Sequence, residues 1–289
     1  MRLFAALFIV SLSLGSCSTY HKVLKAVGLS GPKKNSSFAK LMKSSDYDLK
    51  LRMADKYYIE KNYNKAQQLY DDLFRVLKGT DHFEHIYYNF AYCSFYLKDY
   101  LNAENLFKGF TEAFPNSQQA EEMEYMRAFT FYKQSPKWEL DQTNTTKTIG
   151  FMQAFINTHP GSARTKDASD IIEKCHAKLE LKEYKNAELY FNIQQPRAAV
   201  ISLNNLMNNY PDSPKSEDYK LMAIKAYYML AGMSIETKKE ERYEQVITAC
   251  NEFTDRFPDS KLTKEVKQYL TQSQNNLKTI KNEQDKKAG

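Results

Sequence analysis

Two groups of side chains have the types that metal binding or acid–base catalysis would need. Asp81, His82, Glu84 and His85 place two imidazoles and two carboxylates close together in the chain. Ligands drawn from one helical turn do not surround an ion, and at the start of a helix the same residues serve its open N–H groups and its positive end. Glu121 and Glu122 form a carboxylate pair, again where negative charge complements a helix start. None of the five histidines has the spacing of a zinc site, a metalloprotease or a catalytic triad, and no glycine-rich phosphate loop occurs. The reading is therefore no enzyme, no catalytic residue, no metal and no cofactor beyond what is covalently attached.

The covalent chemistry centres on Cys17. Arg2 stands beside the terminal amine, residues 3–14 form an apolar run, and the small pair Gly15 and Ser16 follows. The run is too short to span a bilayer comfortably and has the layout of an export signal. The order Leu14, Gly15, Ser16, Cys17 resembles the bacterial lipobox, whose cysteine sulfur receives a diacylglycerol. Cleavage of residues 1–16 then leaves Cys17 as the first residue, with an N-acyl chain completing the group. Two or three acyl chains bury far more methylene than one myristoyl group, so the anchor is expected to be permanent. The other cysteines, Cys93, Cys175 and Cys250, are odd in number and lie inside helical patterns. They read as small buried apolar residues and not as a disulfide framework. The net charge of +6, from 41 basic and 35 acidic residues, is mild and dispersed. It does not suit a nucleic-acid binder.

Only nine glycines and eight prolines occur in 289 residues, and no segment alternates at strand period, so the class is all-α. Four related breakers recur: Phe114-Pro115-Asn116-Ser117, His159-Pro160-Gly161-Ser162, Tyr210-Pro211-Asp212-Ser213 and Phe257-Pro258-Asp259-Ser260. An aromatic ring that packs back, a proline that stops one helix and a serine that caps the next are what a tight inter-helix turn needs. Twelve residues before each proline stands Ala103, Thr148, Ala199 or Val246, and Ala66 fills that place in a proline-less copy. Residues Glu84 to Ser117 match one 34-residue tetratricopeptide repeat, with Tyr87, Phe90, Ala91, Tyr100, Ala103, Phe107 and Pro115 at signature positions. Tyr47 to Thr80 is a second copy. The expected architecture is a right-handed solenoid of about five tetratricopeptide-like hairpins.

Later copies are longer. Ser135 to Thr146 reads as a polar loop carrying Trp138, and the breaker-free stretch from Thr165 to Ile193 reads as one long helix joining two halves. The expected organisation is a signal over 1–16, a lipidated flexible tether over 17–45, modules over 46–180 and 181–275, and a frayed polar tail over 276–289. The chain is rich in rings, with 21 tyrosines and 17 phenylalanines. The helix from Glu84 carries rings around most of its circumference, more than one buried face uses. On the repeat alignment the inner groove is lined by Tyr58, Ile59, His85, Tyr88, Tyr92, Phe95 and Tyr96, a candidate surface for an aromatic or extended peptide.

The leader, the Gly/Pro-containing tether, the repeats with breakers of the Phe-Pro-Asn-Ser kind, the insertion from Ser135-Pro136 to Asp141-Gln142, and the run Leu181, Tyr184, Ala187, Glu188, Leu189, Tyr190 together carry a family likeness. The chain resembles the BamD family, lipoprotein subunits of the outer-membrane β-barrel assembly machinery. That resemblance implies a non-catalytic scaffold lipid-anchored to the outer membrane and facing the periplasm. Its C-terminal repeats would bind the periplasmic domains of BamA, and its N-terminal repeats would receive unfolded barrel proteins through an aromatic-rich C-terminal signal. Two other readings share the fold. One is a periplasmic repeat protein coordinating cell-wall synthesis, which usually has an N-terminal coiled coil in place of this tether. The other is a glycan-uptake lipoprotein, usually much longer and bearing large insertions.

Overall fold

The computed structural model describes residues 36–288. Within them every regular element is an α-helix. They divide into two compact units, one ending at Leu97 and the other beginning at Lys98. The first contains α1 (Ser36–Met42), α2 (Tyr47–Ile59), α3 (Tyr63–Val76) and α4 (Phe83–Tyr96). The second contains α5 (Tyr100–Ala113), α6 (Ala120–Gln134), α7 (Thr143–Thr158), α8 (Thr165–Asn192), α9 (Pro196–Asn209), α10 (Ser216–Gly232), α11 (Glu236–Arg256) and α12 (Thr263–Ala288). Inside each unit helices pack mainly on their neighbours in sequence, α2 on α3 and α3 on α4, then α5 on α6 and so on to α12. This is the nearest-neighbour pattern of a helical-repeat protein.

The small residues that precede the breakers do what their size suggests. Ala66, Ala103, Thr148, Ala199 and Val246 are all completely buried, which lets adjacent helix axes approach closely. Each breaker is a turn built the same way four times. The serine N–H donates to the carbonyl of the aromatic residue in Ser117, Ser162, Ser213 and Ser260 at 3.0–3.2 Å, with proline at the second position, where its fixed φ fits. The ring packs back onto the helix it leaves, as in Phe110 with Phe114 and Phe253 with Phe257, centroids 5.2 Å apart in both.

The serine does more than cap. Its hydroxyl accepts the N–H two residues on, in Gln119, Arg164, Lys215 and Leu262. In three copies it also donates to a glutamate of an earlier helix: Ser162 to Glu121 at 2.5 Å, Ser213 to Glu180 at 2.5 Å and Ser260 to Glu217 at 2.6 Å. Glu121 and Glu217 lie in the first turns of α6 and α10, whereas Glu180 lies in the middle of α8. A repeat therefore begins partway along the uninterrupted 28-residue helix.

Three expectations on organisation meet a different structure. The end of the tether is ordered: α1 occupies 36–42, and the ring of Phe38 lies edge-on to Tyr57 at 5.8 Å. The tail continues as helix, because Leu277 and Ile280 recur at helical spacing and Ile280 enters the core of the second unit beside Tyr243 and Val246. The long helix α8 exists over the expected stretch, yet it is interior to the second unit, packed on both α7 and α9. The compact division falls at 97/98 instead of near 180. The signal, Cys17 and residues 17–35 of the tether lie outside the described residues.

Candidate functional site

In the first unit the sequence places Asp55 and Tyr58 three residues apart on α2, and His85, Tyr88, Tyr92 and Tyr96 at helical intervals on α4. Such spacings put each set on one helix face. The structure joins them into a chain of rings. Tyr88 lies 4.8 Å from Tyr92, and Tyr92 lies 5.8 Å from Tyr96. Tyr96 stacks on Tyr63 at 4.5 Å, and Tyr63 meets Tyr58 edge-on at 5.8 Å. Phe95 touches the Tyr96 ring at 5.9 Å. Five tyrosines from three helices thus form one ring surface. Tyr63 was not among the expected groove residues, although its place at the start of α3 faces the end of α4.

The expected set divides by exposure. Tyr96 is 45% exposed and Tyr58 and Tyr88 are half-buried, so these present ring edges. Tyr92 is 6% exposed and supports its neighbours from beneath. Ile59 is 78% exposed and stands apart from the ring surface, because it follows Tyr58 by one residue and so points about 100° away around α2. Burial, with the nearby Tyr96 and Tyr88 adding to it, holds the Tyr58 phenol well above the usual tyrosine range.

His85 belongs to a polar network at the other end of the ring chain. Its Nε2 donates to Asp55 Oδ1 at 2.7 Å, and the Tyr70 hydroxyl donates to the same oxygen at 2.6 Å. The Asn89 amide nitrogen lies 3.1 Å from both the Tyr70 oxygen and His85 Nε2. Burial raises the Asp55 pKa, but the hydrogen bonds from His85 and Tyr70 outweigh it and the net shift is downward. The hydrogen bond to Asp55, opposed by burial, raises the His85 pKa. Sequence reading had placed His85 with Asp81, His82 and Glu84; the structure pairs it across helices instead. No group of His, Cys, Asp and Glu among the described residues is arranged to hold a metal ion. Asp55, Tyr70 and Asn89 were missed, and the only local signal was the four-residue spacing of His85 and Asn89.

Glu121 and Glu122, read as helix-start charges, also bind across the second unit. Glu122 pairs with Arg164 at 2.9 Å and Glu121 accepts from Ser162, both on the segment leading into α8. Their role is to close a repeat. The insertion between α6 and α7 is fastened similarly: Gln142 Nε2 donates to the carbonyls of Lys137 and Leu140, and Lys178 from α8 reaches Ser135 Oγ at 2.6 Å and the Pro136 carbonyl at 2.9 Å. Cys93, Cys175 and Cys250 are buried thiols, and burial pushes Cys93 up to about 12.

No helix among the described residues is long and apolar enough to cross a membrane. Residues 51–243 match the YfiO family, described as an outer membrane lipoprotein. The chain is 23% identical over 238 residues to the outer membrane protein assembly factor BamD of Rickettsia prowazekii (strain Madrid E), covering 82% of this chain and 88% of that protein. A relative from Aquifex aeolicus (strain VF5) whose name also carries BamD is 26% identical over 115 residues, 40% of this chain and 38% of its own length. Among solved structures, the yeast Sti1 TPR2AB domain in complex with pHSP90 is similar with a TM-score of 0.37 and 14% identity, over 80% of this chain and 99% of that one.

Proposed function

Because the chain belongs to the YfiO family of outer-membrane lipoproteins, we propose that it is a non-catalytic scaffold of outer-membrane protein assembly, lipid-anchored through Cys17 on the periplasmic face. The observation that carries the reading is the family match across residues 51–243, which spans parts of both units. Its likeness to an assembly factor over most of both chains supports the same role. On this reading the second unit binds the periplasmic domains of BamA, and the ring surface of the first unit receives the aromatic C-terminal segment of an unfolded barrel protein.

The chemistry of the ring surface suits that task. Tyr58, Tyr88 and Tyr96 offer faces and edges on which another ring packs offset or edge-on, each such contact contributing about 0.5–1.5 kcal/mol beyond area burial. An extended segment needs several such contacts to overcome its own ordering entropy. The network of Asp55, Tyr70, His85 and Asn89, buried at Tyr70 and Asn89 and open to solvent at His85, links α2, α3 and α4.

A pull-down of the native protein from detergent-solubilised outer membrane, with partners identified by mass, tests this function. The proposal expects a large barrel protein with periplasmic repeats in stoichiometric amount. Recovery of cell-wall synthases or a sugar-uptake porin in its place would overturn the function while leaving the fold intact.

A further inference from the structure

The repeat that starts at Glu84 shows what covers the first helix of a hairpin. Aligned without a gap, Leu49, Met53 and Tyr57 of α2 take the places of Ile86, Phe90 and Ser94 of α4. Those three α4 residues are buried. α3 lies over two of them, with the Phe74 ring 5.7 Å from Phe90 and Gln67 Nε2 donating to Ser94 Oγ at 3.0 Å. On α2 the same stripe is open: Leu49 is 37% exposed, and Met53 and Tyr57 are half-buried. The helix that precedes α4 has fourteen residues, whereas α1, which precedes α2, has seven. Its Phe38 meets the Tyr57 end of the stripe and leaves the Leu49 end uncovered.

A groove of about 450 Å³ remains between α1 and α2, formed by Leu41 on one side and Leu49, Met53 and Tyr57 on the other. Ser37, Ser44 and Lys40 complete it. Lys40 is its one charged lining residue, exposed and in no ion pair among the described residues. The stripe from Leu49 to Tyr57 is about 12 Å long, the length of a two-turn helix.

The sequence that leads into α1 has that form. Tyr20, Val23, Leu24 and Val27 recur at helical spacing, with Lys22 and Lys25 on the opposite side of the wheel. Ser18 and Thr19 before them are capping types, and Gly28 after them suits a helix end. The eight residues from Gly28 to Asn35, with Gly31-Pro32 among them, leave room to turn back, since helix–helix connections take roughly 2–8 residues.

From the open stripe and this pattern we infer that residues 20–27 fold back as a helix into the α1/α2 groove. Tyr20, Val23, Leu24 and Val27 pack on Leu49, Met53 and Tyr57, and Lys22 and Lys25 turn away from Lys40. With α1 they complete a hairpin that covers α2 as the α2–α3 pair covers α4. The inference uses neither the ring surface nor a partner protein, so it stands or falls separately from the proposed function. With Cys17 acylated, docking holds the first unit close to the membrane, whereas release leaves a leash of nineteen residues from Cys17 to Asn35, reaching about 60 Å when extended.

The test is hydrogen exchange, read by mass spectrometry, of the full lipidated chain in detergent micelles. Amides of residues 20–27 are expected to exchange at least about tenfold slower than a free chain. Leu49→Glu in the groove, or Val23→Asp with Val27→Asp in the segment, should return them to within about twofold of the free rate, with α3 and α4 exchange unchanged. Ile59→Glu, elsewhere on α2, should leave the protection in place. A second measurement, independent of exchange, is disulfide formation in dilute protein, where Leu24→Cys with Met53→Cys should crosslink within one chain at least about tenfold faster than Leu24→Cys with Ile59→Cys. Free-chain exchange in the parent, or equal crosslinking of the two pairs, would overturn the inference. Protection that survives Leu49→Glu would assign the segment to the micelle surface, and protection that rises with protein concentration would assign the groove to a second copy; either overturns it equally.

Discussion

Replacement of Glu180 by alanine should destabilise the second unit far more than its place within a continuous helix suggests. Glu180 Oε1 accepts from Ser213 Oγ at 2.5 Å and from the Tyr219 hydroxyl at 2.6 Å. Ser213 is half-buried and can turn to water, but Tyr219 is 2% exposed and its hydroxyl would lose its acceptor. A hydrogen bond to a charged acceptor contributes about 1.5–3 kcal/mol, and a buried hydroxyl left unpaired costs about 1–3 kcal/mol. The expected loss for Glu180→Ala is therefore about 2–3 kcal/mol, and about 1 kcal/mol for Tyr219→Phe, which removes the donor and leaves Glu180 with Ser213. Lys182→Ala, two residues along the helix with its exposed Nζ on the Leu140 carbonyl, should cost no more than about 0.5 kcal/mol. Urea unfolding followed by far-ultraviolet circular dichroism gives all three values. If Glu180→Ala unfolds within about 0.5 kcal/mol of the parent, or Tyr219→Phe costs more than Glu180→Ala, the latch argument fails.

Three further outcomes are expected. Gln194 has φ +57° in the α8–α9 turn, a left-handed corner that glycine adopts without strain, so Gln194→Gly should stabilise by up to about 1 kcal/mol in the same urea assay. His85, with its raised pKa, stabilises fully below its ordinary 6.5 and loses that contribution as pH rises through the raised value, while Asp55 stabilises above 3.8 and loses it as pH falls through its lowered value. Melting temperature between about pH 5 and about pH 8 should therefore fall on the alkaline side in the parent and flatten in His85→Gln. Cys17→Ser should shift the protein from the membrane pellet to the soluble fraction in ultracentrifugation, and continued pelleting would contradict lipid anchoring there.

The repeat was legible because its marks are local. An aromatic-Pro-X-Ser turn and a small residue twelve positions earlier are set by helix termination and close axis approach, so Ala103, Ala199 and Val246 could be assigned to the core from spacing alone. The absence of a breaker between Thr165 and Ile193 was enough to predict α8. What was not legible depends on pairing across helices. Glu180 looks like any surface glutamate until Ser213 and Tyr219 are brought to it, and Asp55, Tyr70 and Asn89 have no spacing that announces a network with His85. The helical end of the tether and the docked tail were missed for a related reason. Phe38 with Leu41 and Met42, and Ile280 with Leu277, are short apolar sets in otherwise polar stretches, and only a partner surface shows that they are buried or packed. In the ring surface the stripe Tyr88, Tyr92, Tyr96 followed from period, whereas the split between buried Tyr92 and exposed Tyr96 required the neighbouring helix.

The central claim, that the ring surface of the first unit receives unfolded barrel proteins, is tested most directly by photo-crosslinking in cells with Tyr96→p-benzoylphenylalanine. Tyr96 is the most exposed ring of the tyrosine chain, so the probe sits at the surface without opening the core. Light-dependent adducts with newly made barrel proteins are predicted, diminished when the C-terminal aromatic residue of the barrel protein is removed. Adducts that ignore that residue, or none above those of a probe at Lys215 in the second unit, would contradict the account.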